Sequence, residues 1–175
     1  MTTTLAVYQL ARPAAQANES NVYGYFGEQR NRGLELTAYG ELQPGLRVIA
    51  GAAFVQGKLT QTQGGVNQGN TAPGVPSSTF NLGLDWDAPW VEGLSFNGRV
   101  VRTSSTYIDA ANTQSLPGVT TFDVGARYRT KVAGKSVVLR ANIDNLTDKK
   151  YWLASGSFAT NAAGRTIMLS ASVDF

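Results

Sequence analysis

The sequence predicts an all-β fold, with about eight antiparallel strands in up-and-down order forming a segment of a transmembrane β-barrel. Three observations carry this prediction. Apolar and polar residues alternate with a period of two through most of the chain, which gives each strand one greasy and one wet face. The breaks between alternating stretches run long, short, long, short, long, short, long. A membrane barrel sorts short turns to one end and long loops to the other, whereas a Greek-key sandwich has no reason to do so. Charged residues make up 15% of the chain, against about 25% in soluble domains. Abundant Gly, Ser, Thr and Asn with little charge suits an outer face in lipid and an inner face in water.

The first strand is expected over residues 2–12, where Leu5, Val7 and Gln9 alternate with Ala6, Tyr8 and Leu10, and Pro13 ends it. Residues 14–28 are polar and small, with aromatics at Tyr23, Tyr25 and Phe26, and read as a long loop. Residues 32–42 place Leu34, Leu36, Ala38 and Leu42 against Glu35, Thr37, Tyr39 and Glu41. Gln43-Pro44-Gly45 makes a tight turn, and residues 46–59 return with Leu46, Val48, Ala50, Ala52 and Phe54 on one side. A Gly-, Pro- and Asn-rich loop covers residues 60–76. Strands at 78–87 and 94–107 flank a short turn at 88–93. Residues 108–118 form a polar loop. Strands at 121–130 and 137–146 flank a turn at 131–135, and a last long loop, 147–163, precedes a strand at 164–175. That strand alternates Ile167, Leu169, Ala171, Val173 and Phe175 with Thr166, Ser170, Ser172 and Asp174. Its aromatic end suits a strand whose tip sits at a membrane interface.

Opposite the apolar faces stand Glu35, Glu41, Arg47, Asp85, Arg99, Asp123, Arg127, Arg129, Arg140, Asp144 and Asp174. Both signs occur on neighbouring strands, as cross-strand ion pairs in a hydrated lumen require. A soluble sheet with a solvated outer face presents the same alternation, and the loop rhythm is what favours the lumen.

The chain has no His and no Cys. Disulfides, thiolate chemistry, a Ser-His-Asp triad and the commonest zinc ligands are thereby excluded within it. Its 15 Lys and Arg residues are scattered, which speaks against nucleic-acid binding. No apolar run approaches the ~20 residues of a membrane helix. Residues 1–12 lack the pattern of a secretion signal, so the start of the protein is expected upstream. Gly64-Gly65 is followed by neither Lys-Ser/Thr nor a helix and is not a phosphate loop. Asn145, Asp148 and Tyr151 read as a turn-and-cap group rather than as a catalytic set with Asp148 as base, because Asn and Asp close turns through their own side chains. No catalytic residue, metal site or cofactor is assigned.

Several segments together resemble TonB-dependent outer-membrane receptors, the ferric-siderophore receptors in particular. Gln29-Arg30-Asn31-Arg32-Gly33-Leu34-Glu35-Leu36 resembles a strand opening of that family. Ala72-Pro73-Gly74-Val75-Pro76-Ser77-Ser78-Thr79 resembles the proline-bracketed approach to a later strand, with Ser77-Ser78 where the family usually has a basic residue or His. Leu116-Pro117-Gly118-Val119-Thr120-Thr121-Phe122-Asp123 resembles the entry to the antepenultimate strand. Asn145-Leu146-Thr147-Asp148-Lys149-Lys150-Tyr151 resembles the Asn-Leu-aromatic-Asp-Lys-x-Tyr run, with Thr147 replacing the aromatic, and residues 164–175 resemble the closing strand.

The resemblance implies a bacterial outer-membrane location and a plugged barrel of about 22 strands. This chain would be its C-terminal portion, with the plug and the earlier strands outside it. It implies a non-enzymatic receptor for ferric siderophores or similar chelates, driven by TonB through the missing N-terminal part. Phe175 would be the signal read by the barrel-assembly machinery. The ligand carries its own iron, so no protein cofactor is implied. Loop aromatics are the physical candidates for ligand contact, since rings offer a chelate an apolar, stackable surface. They are Tyr23, Tyr25 and Phe26 in the first loop, Tyr107 beside the third, and Tyr151, Trp152 and Phe158 in the last. A girdle at the lipid interface, or packing of loop on loop, is the plainer role for each. A self-contained eight-stranded outer-membrane barrel and a secreted β-sandwich stay open as alternatives.

Overall fold

The computed structural model describes residues 1–174, so Phe175 and the role expected for it lie outside the described residues. The chain forms β1 (Thr2–Ala17), β2 (Tyr23–Gln43), β3 (Leu46–Gln61), β4 (Ser78–Asp87), β5 (Leu94–Thr103), β6 (Thr106–Tyr107), β7 (Ser115–Leu116), β8 (Val119–Val132), β9 (Lys135–Asp144), β10 (Trp152–Ser155), β11 (Phe158–Asn161) and β12 (Thr166–Val173). Eight of these build one antiparallel sheet in the order β1-β2-β3-β4-β5-β8-β9-β12. Among the described residues β1 and β12 are its open edges. The pairs β6–β7 and β10–β11 are small separate hairpins within the connections.

The register aligns the apolar residues across every strand. Val7 faces Leu34, and Leu34 faces Phe54. Ala50 faces Leu82, Leu82 faces Val100, and Val100 faces Phe122. Val124 faces Ile143, which faces Ile167. Residues directly opposite share a face, so one apolar face runs across all eight strands, about 34 Å at ~4.8 Å between neighbours. From Leu46 to Phe54 it spans about 26 Å along the strand, or about 20 Å of membrane depth at a tilt of about 40°, within the ~25 Å apolar band of a membrane barrel.

Nothing among the described residues covers this face. Val7 is 77% exposed and Leu169 76%. Among the described residues the buried apolar side chains are Leu59, Ala72 and Ala88 alone. A soluble monomer rarely exposes more than a few hundred Å² of continuous apolar surface, whereas lipid supplies the missing layer here.

The opposite face carries most of the charges, and some are paired as the alternation implied. Arg47 reaches Asp85 and Asp87, each at 2.6 Å. Arg99 reaches Asp123 at 2.7 Å.

Short turns gather at one end. Pro44-Gly45 joins β2 to β3, with Gly45 at φ +78°. Ala133-Gly134 joins β8 to β9 with both residues at positive φ, as a tight two-residue hairpin turn requires. Residues 88–93 close on Gly93, at φ +80°, where a Cβ would lie 2.1 Å from the Arg129 carbonyl oxygen.

Several sequence-based boundaries change. Residues 14–28 are not a long loop, because β1 and β2 stay paired up to Ala17 and Tyr23 through a bulge near Ala14 and Gln16. Beyond the apolar band both faces of this hairpin mix small, aromatic and polar residues, so no period of two marks it. The strand expected over 94–107 ends at Thr103, and Tyr107 belongs to the separate β6–β7 hairpin. The last connection, residues 145–165, holds the β10–β11 hairpin.

Candidate functional site: the loop cap

The long connections, residues 62–77, 104–118 and 145–165, all leave the sheet at the end opposite the short turns, beside the tip of the β1–β2 hairpin. Backbone polar groups and short side chains tie the first two to one another and to β1. The Gln63 N–H donates to Gln16 Oε1 at 3.1 Å, holding loop 62–77 to β1. Asn70 Nδ2 donates to the Ala110 carbonyl at 3.0 Å. Asn112 accepts from the Thr71 N–H and donates to the Thr71 carbonyl, each at 2.8 Å. The Gly74 N–H donates to the Tyr107 carbonyl at 2.8 Å.

Gly74 is the meeting point of three loops. On one side lies Tyr107, and on the other the β10–β11 turn, where a Cβ on Gly74 would fall 2.5 Å from the Gly156 nitrogen. Gly74 also has φ +74°, so both space and conformation require glycine there. Ser77 and Ser78, at the positions of the departure noted in the sequence, face Ser104. The Ser78 N–H donates to Ser104 Oγ at 3.1 Å, and Ser77 Oγ lies 3.2 Å from the same oxygen. Small hydroxyls thus let loops 62–77 and 104–118 leave the sheet in contact.

The neck of the last loop turns on Asn145. Its side chain is buried and its φ is +52°. Oδ1 accepts from the Lys149 N–H at 2.8 Å, and Nδ2 donates to the carbonyls of Lys149 at 2.9 Å and Ala163 at 3.3 Å. Its own N–H donates to Asp123 Oδ1 at 2.8 Å, and Asp123 Oδ2 holds Arg99. Asp148 then bridges the two arms of the loop, accepting from the Arg165 N–H at 2.8 Å and from Lys150 Nζ at 3.0 Å. The Arg165 amide, with Lys150 second, draws the Asp148 carboxyl below the usual aspartate range. This is turn chemistry, as the sequence reading held.

In loop 104–118 Asp109 takes the corresponding role. Its carboxylate accepts from the Gln114 N–H at 2.7 Å, the Thr113 N–H at 3.0 Å and Thr113 Oγ1 at 2.8 Å. Those amides, Gln114 first, hold its carboxyl below the ordinary value.

The seven candidate aromatics occupy this end, spread over its rim. Tyr23 and Tyr25 project from the same side of the β2 tip, 74% and 79% exposed, while the Phe26 ring lies over Gly24. Tyr107 and the β10–β11 hairpin, which carries Trp152 and Phe158, are brought together through Gly74; Tyr151 precedes that hairpin, its carbonyl accepting from the Ala162 N–H at 3.0 Å. None of the seven stacks on another aromatic ring among the described residues. The residues that frame the cap, Asn70, Asp109, Asn112 and Asn145, were not among the candidates. Their signal was Asn and Asp inside Gly- and Ala-rich connections, where short polar side chains replace backbone pairing. Among the described residues no group of three or more acidic side chains is placed to hold a metal ion.

Comparison with known proteins places this architecture. Residues 2–146 match the family model for the TonB dependent receptor-like β-barrel. The ferrichrome receptor FcuA of Yersinia enterocolitica is 41% identical over 176 residues, covering 98% of this chain and 23% of that protein. The ferrioxamine receptor of the same organism is 29% identical over 177 residues, covering 97% of this chain and 24% of its own length. The crystal structure of BauA, the ferric preacinetobactin receptor of Acinetobacter baumannii, superimposes with a TM-score of 0.90 at 40% identity, covering 99% of this chain and 27% of that one. The chain thus spans about a quarter of the length of the relatives it matches. An uncovered apolar face, sorted connections and these matches have one reading: the chain belongs to the TonB-dependent receptor β-barrel family of the bacterial outer membrane, and forms part of such a barrel.

Proposed function

We propose that residues 1–175 are the C-terminal strands of a plugged barrel of about 22 strands that takes up a ferric siderophore across the outer membrane. One observation supports this reading: loops 62–77 and 104–118 are hydrogen-bonded into a cap at the extracellular end, loop 145–165 abuts it at Gly156, and exposed aromatics stand around the rim. The relatives are named for ferrichrome, ferrioxamine and preacinetobactin, and a chelate of that kind brings its own metal. The cap supplies what such a ligand needs from a protein, namely flat apolar rings and oriented amide groups. Tyr23, Tyr25, Phe26, Tyr107, Tyr151, Trp152 and Phe158 are the contacts we assign to it. No covalent chemistry is asked of the chain. TonB, working on the plug outside these residues, supplies the energy for release inward.

The open edges at β1 and β12 support a larger ring over a self-contained eight-stranded barrel. Unpaired backbone groups in lipid cost several kcal/mol each, so more strands must flank both edges in the membrane. The segment expressed alone should aggregate rather than insert.

The test uses the complete receptor carrying this segment, in cells stripped of other siderophore receptors. Radioiron-loaded ferrichrome, ferrioxamine B and preacinetobactin are offered in turn. Uptake of at least one, lost on deletion of TonB, is the expected result. Uptake of none of the three, or uptake unaffected by TonB, overturns the reading. Tyr107→Ala and Trp152→Ala should each weaken binding of the accepted chelate about tenfold, the cost of one well-packed aromatic contact.

A further inference from the structure

We propose that Arg12 is a chelate contact of the cap, and that the chelate it receives is an electroneutral ferric complex of the tris-hydroxamate kind. This deepens the siderophore reading and rests on it. Even-numbered residues of β1 share the face opposite the apolar band. Tyr8 pairs with Gly33, Leu10 with Asn31 and Arg12 with Gln29, and these rows continue on β3 into Val55, Gly57 and Leu59. Leu59 then exchanges backbone bonds with the loop. Its N–H donates to the Asn70 carbonyl at 3.0 Å, and its carbonyl accepts from the Gly69 N–H at 2.7 Å. The row that carries Arg12 therefore runs directly into loop 62–77, on the side that faces the barrel interior.

Arg12 is held in place but not neutralised. Its Nη2 donates to Gln29 Oε1 at 3.0 Å, and Gln29 Nε2 donates to Asn31 Oδ1 at 2.9 Å. Gln29 is buried and Arg12 is exposed, so a buried amide aims a guanidinium that still meets solvent. No carboxylate pairs with Arg12 among the described residues. Glu35, on the same face, stands three rows nearer the short turns, about 20 Å along the strand. Leu10, in the row below Arg12, is 57% exposed and adds an apolar surface beside the guanidinium.

Charge is otherwise scarce at this end. Residues 62–77, 104–118 and 151–164 contain one charged side chain, Asp109. Its carboxylate is occupied by the Gln114 and Thr113 amides and the Thr113 hydroxyl. Gln68 and Gln114 are exposed and offer neutral amides. Cations of the neighbouring strands turn away. Arg32 pairs with Gln9 in the row after Val7 and Leu34, and Arg102 pairs with Phe80, so both share the apolar outer face. A multiply charged chelate would leave water here without counter-charges, which is heavily penalised. One guanidinium suits a complex in which three singly negative oxygen groups balance Fe(III). Such a complex has no net charge, yet its metal-bound oxygens are electron-rich and accept the paired hydrogen bonds that a guanidinium fork donates.

The complete receptor, purified in detergent, is titrated with a panel of ferric chelates and followed by quenching of its tryptophan fluorescence. Ferrichrome and N-acetylated ferrioxamine B are uncharged tris-hydroxamates. Ferrichrome A adds three carboxylates to the ferrichrome core, and ferric enterobactin is a tris-catecholate with three negative charges. At least one uncharged chelate should bind, roughly 100-fold tighter than either trianion. R12Q should weaken binding of that chelate about tenfold, the loss of a charged hydrogen-bond donor. R32Q, which removes a cation of the outer face, should leave it unchanged. Heat-modifiable migration reports that both variants fold, and the comparison among chelates needs no variant. A trianion bound as tightly as the uncharged chelates, undiminished binding by R12Q, or an equal loss in R32Q overturns the inference. Binding of preacinetobactin with no uncharged chelate bound overturns it and leaves the siderophore reading intact. Failure of every chelate, preacinetobactin included, removes both.

Discussion

Asn112 holds Thr71 as a neighbouring strand would. Its side-chain amide accepts from the Thr71 N–H and donates to the Thr71 carbonyl, both at 2.8 Å, across 41 residues of chain. Asn112 itself stands at φ +59°, a conformation Asn tolerates better than most residues. The two bonds satisfy both backbone groups of a residue that has no sheet partner on that side. We expect N112A to part loops 62–77 and 104–118. Each bond is worth about 1 kcal/mol, so the Thr71 amide of the assembled receptor should exchange with deuterium roughly tenfold faster or more. Amides in the middle of β4 and β5 should not change. A uniform increase over the whole sheet would mean that the clasp supports the barrel and not the cap.

The same loop should respond to acid. Asp109 ionises below the ordinary aspartate value because the Gln114 and Thr113 amides stabilise its carboxylate. The opened loop therefore binds the proton more tightly than the closed one. Closure is fully supported above the ordinary value of about 3.9, and it weakens as pH falls from there through the lowered folded value. Exchange protection of Thr113 and Gln114, measured from pH 6 down to pH 3 and corrected for intrinsic rates, should be flat at first and then drop. In D109A it should be low and flat throughout. Protection that rises on acidification would contradict the assignment.

How far the sequence reveals this molecule depends on how local the physics is. Leu46, Val48, Ala50, Ala52 and Phe54 share a face because alternate residues must, and the Pro44-Gly45 turn sets them against Leu34 and Leu36 with no distant information. Edges of the sheet were harder to read where water meets both faces. Residues 14–17 and 23–28 pair without any apolar period, so the β1–β2 hairpin runs on past the point where patterning stops. The cap was legible only as composition. The Gly, Pro and Asn residues of 60–76 and 108–118 announced loops, but Asn112 finding Thr71, or Gly74 seated between Tyr107 and Gly156, depends on contacts between separate connections. Period-two reasoning also paired Arg47 and Arg99 with carboxylates on the right face without saying which carboxylates.

Asn145 separates conformation from hydrogen bonding. Both its positive φ and its three side-chain bonds suit Asn. N145G restores the backbone freedom but not the bonds, while N145A loses both. N145A should cost the last loop about 3 kcal/mol and N145G about 2 kcal/mol, read as exchange at Lys149 and Arg165. Equal effects would assign the site to hydrogen bonding alone. A milder N145A than N145G would reject the strain argument.

Asp85 anchors two arginines on the charged face. Its Oδ1 accepts from Arg47 Nη2 at 2.6 Å and from Arg127 Nη2 at 3.2 Å. Asp87 is tied to Arg47 at 2.6 Å and to Ser95 Oγ at 2.7 Å, but stands 3.9 Å from Arg127. Arg127 lies directly opposite Arg140 on β9, a like-charged pair that Asp85 offsets. Removing the Asp85 charge therefore exposes a repulsion that removing the Asp87 charge does not. D85N should destabilise the barrel by about 1–2 kcal/mol, and D87N by less, since these side chains are partly hydrated and screened. The temperature at which the heat-modifiable folded band disappears ranks the two. R140Q should recover part of the D85N loss, because it removes the same repulsion. A D87N variant as damaged as D85N, or an R140Q background that deepens the D85N loss, would show that Arg47 alone organises the cluster.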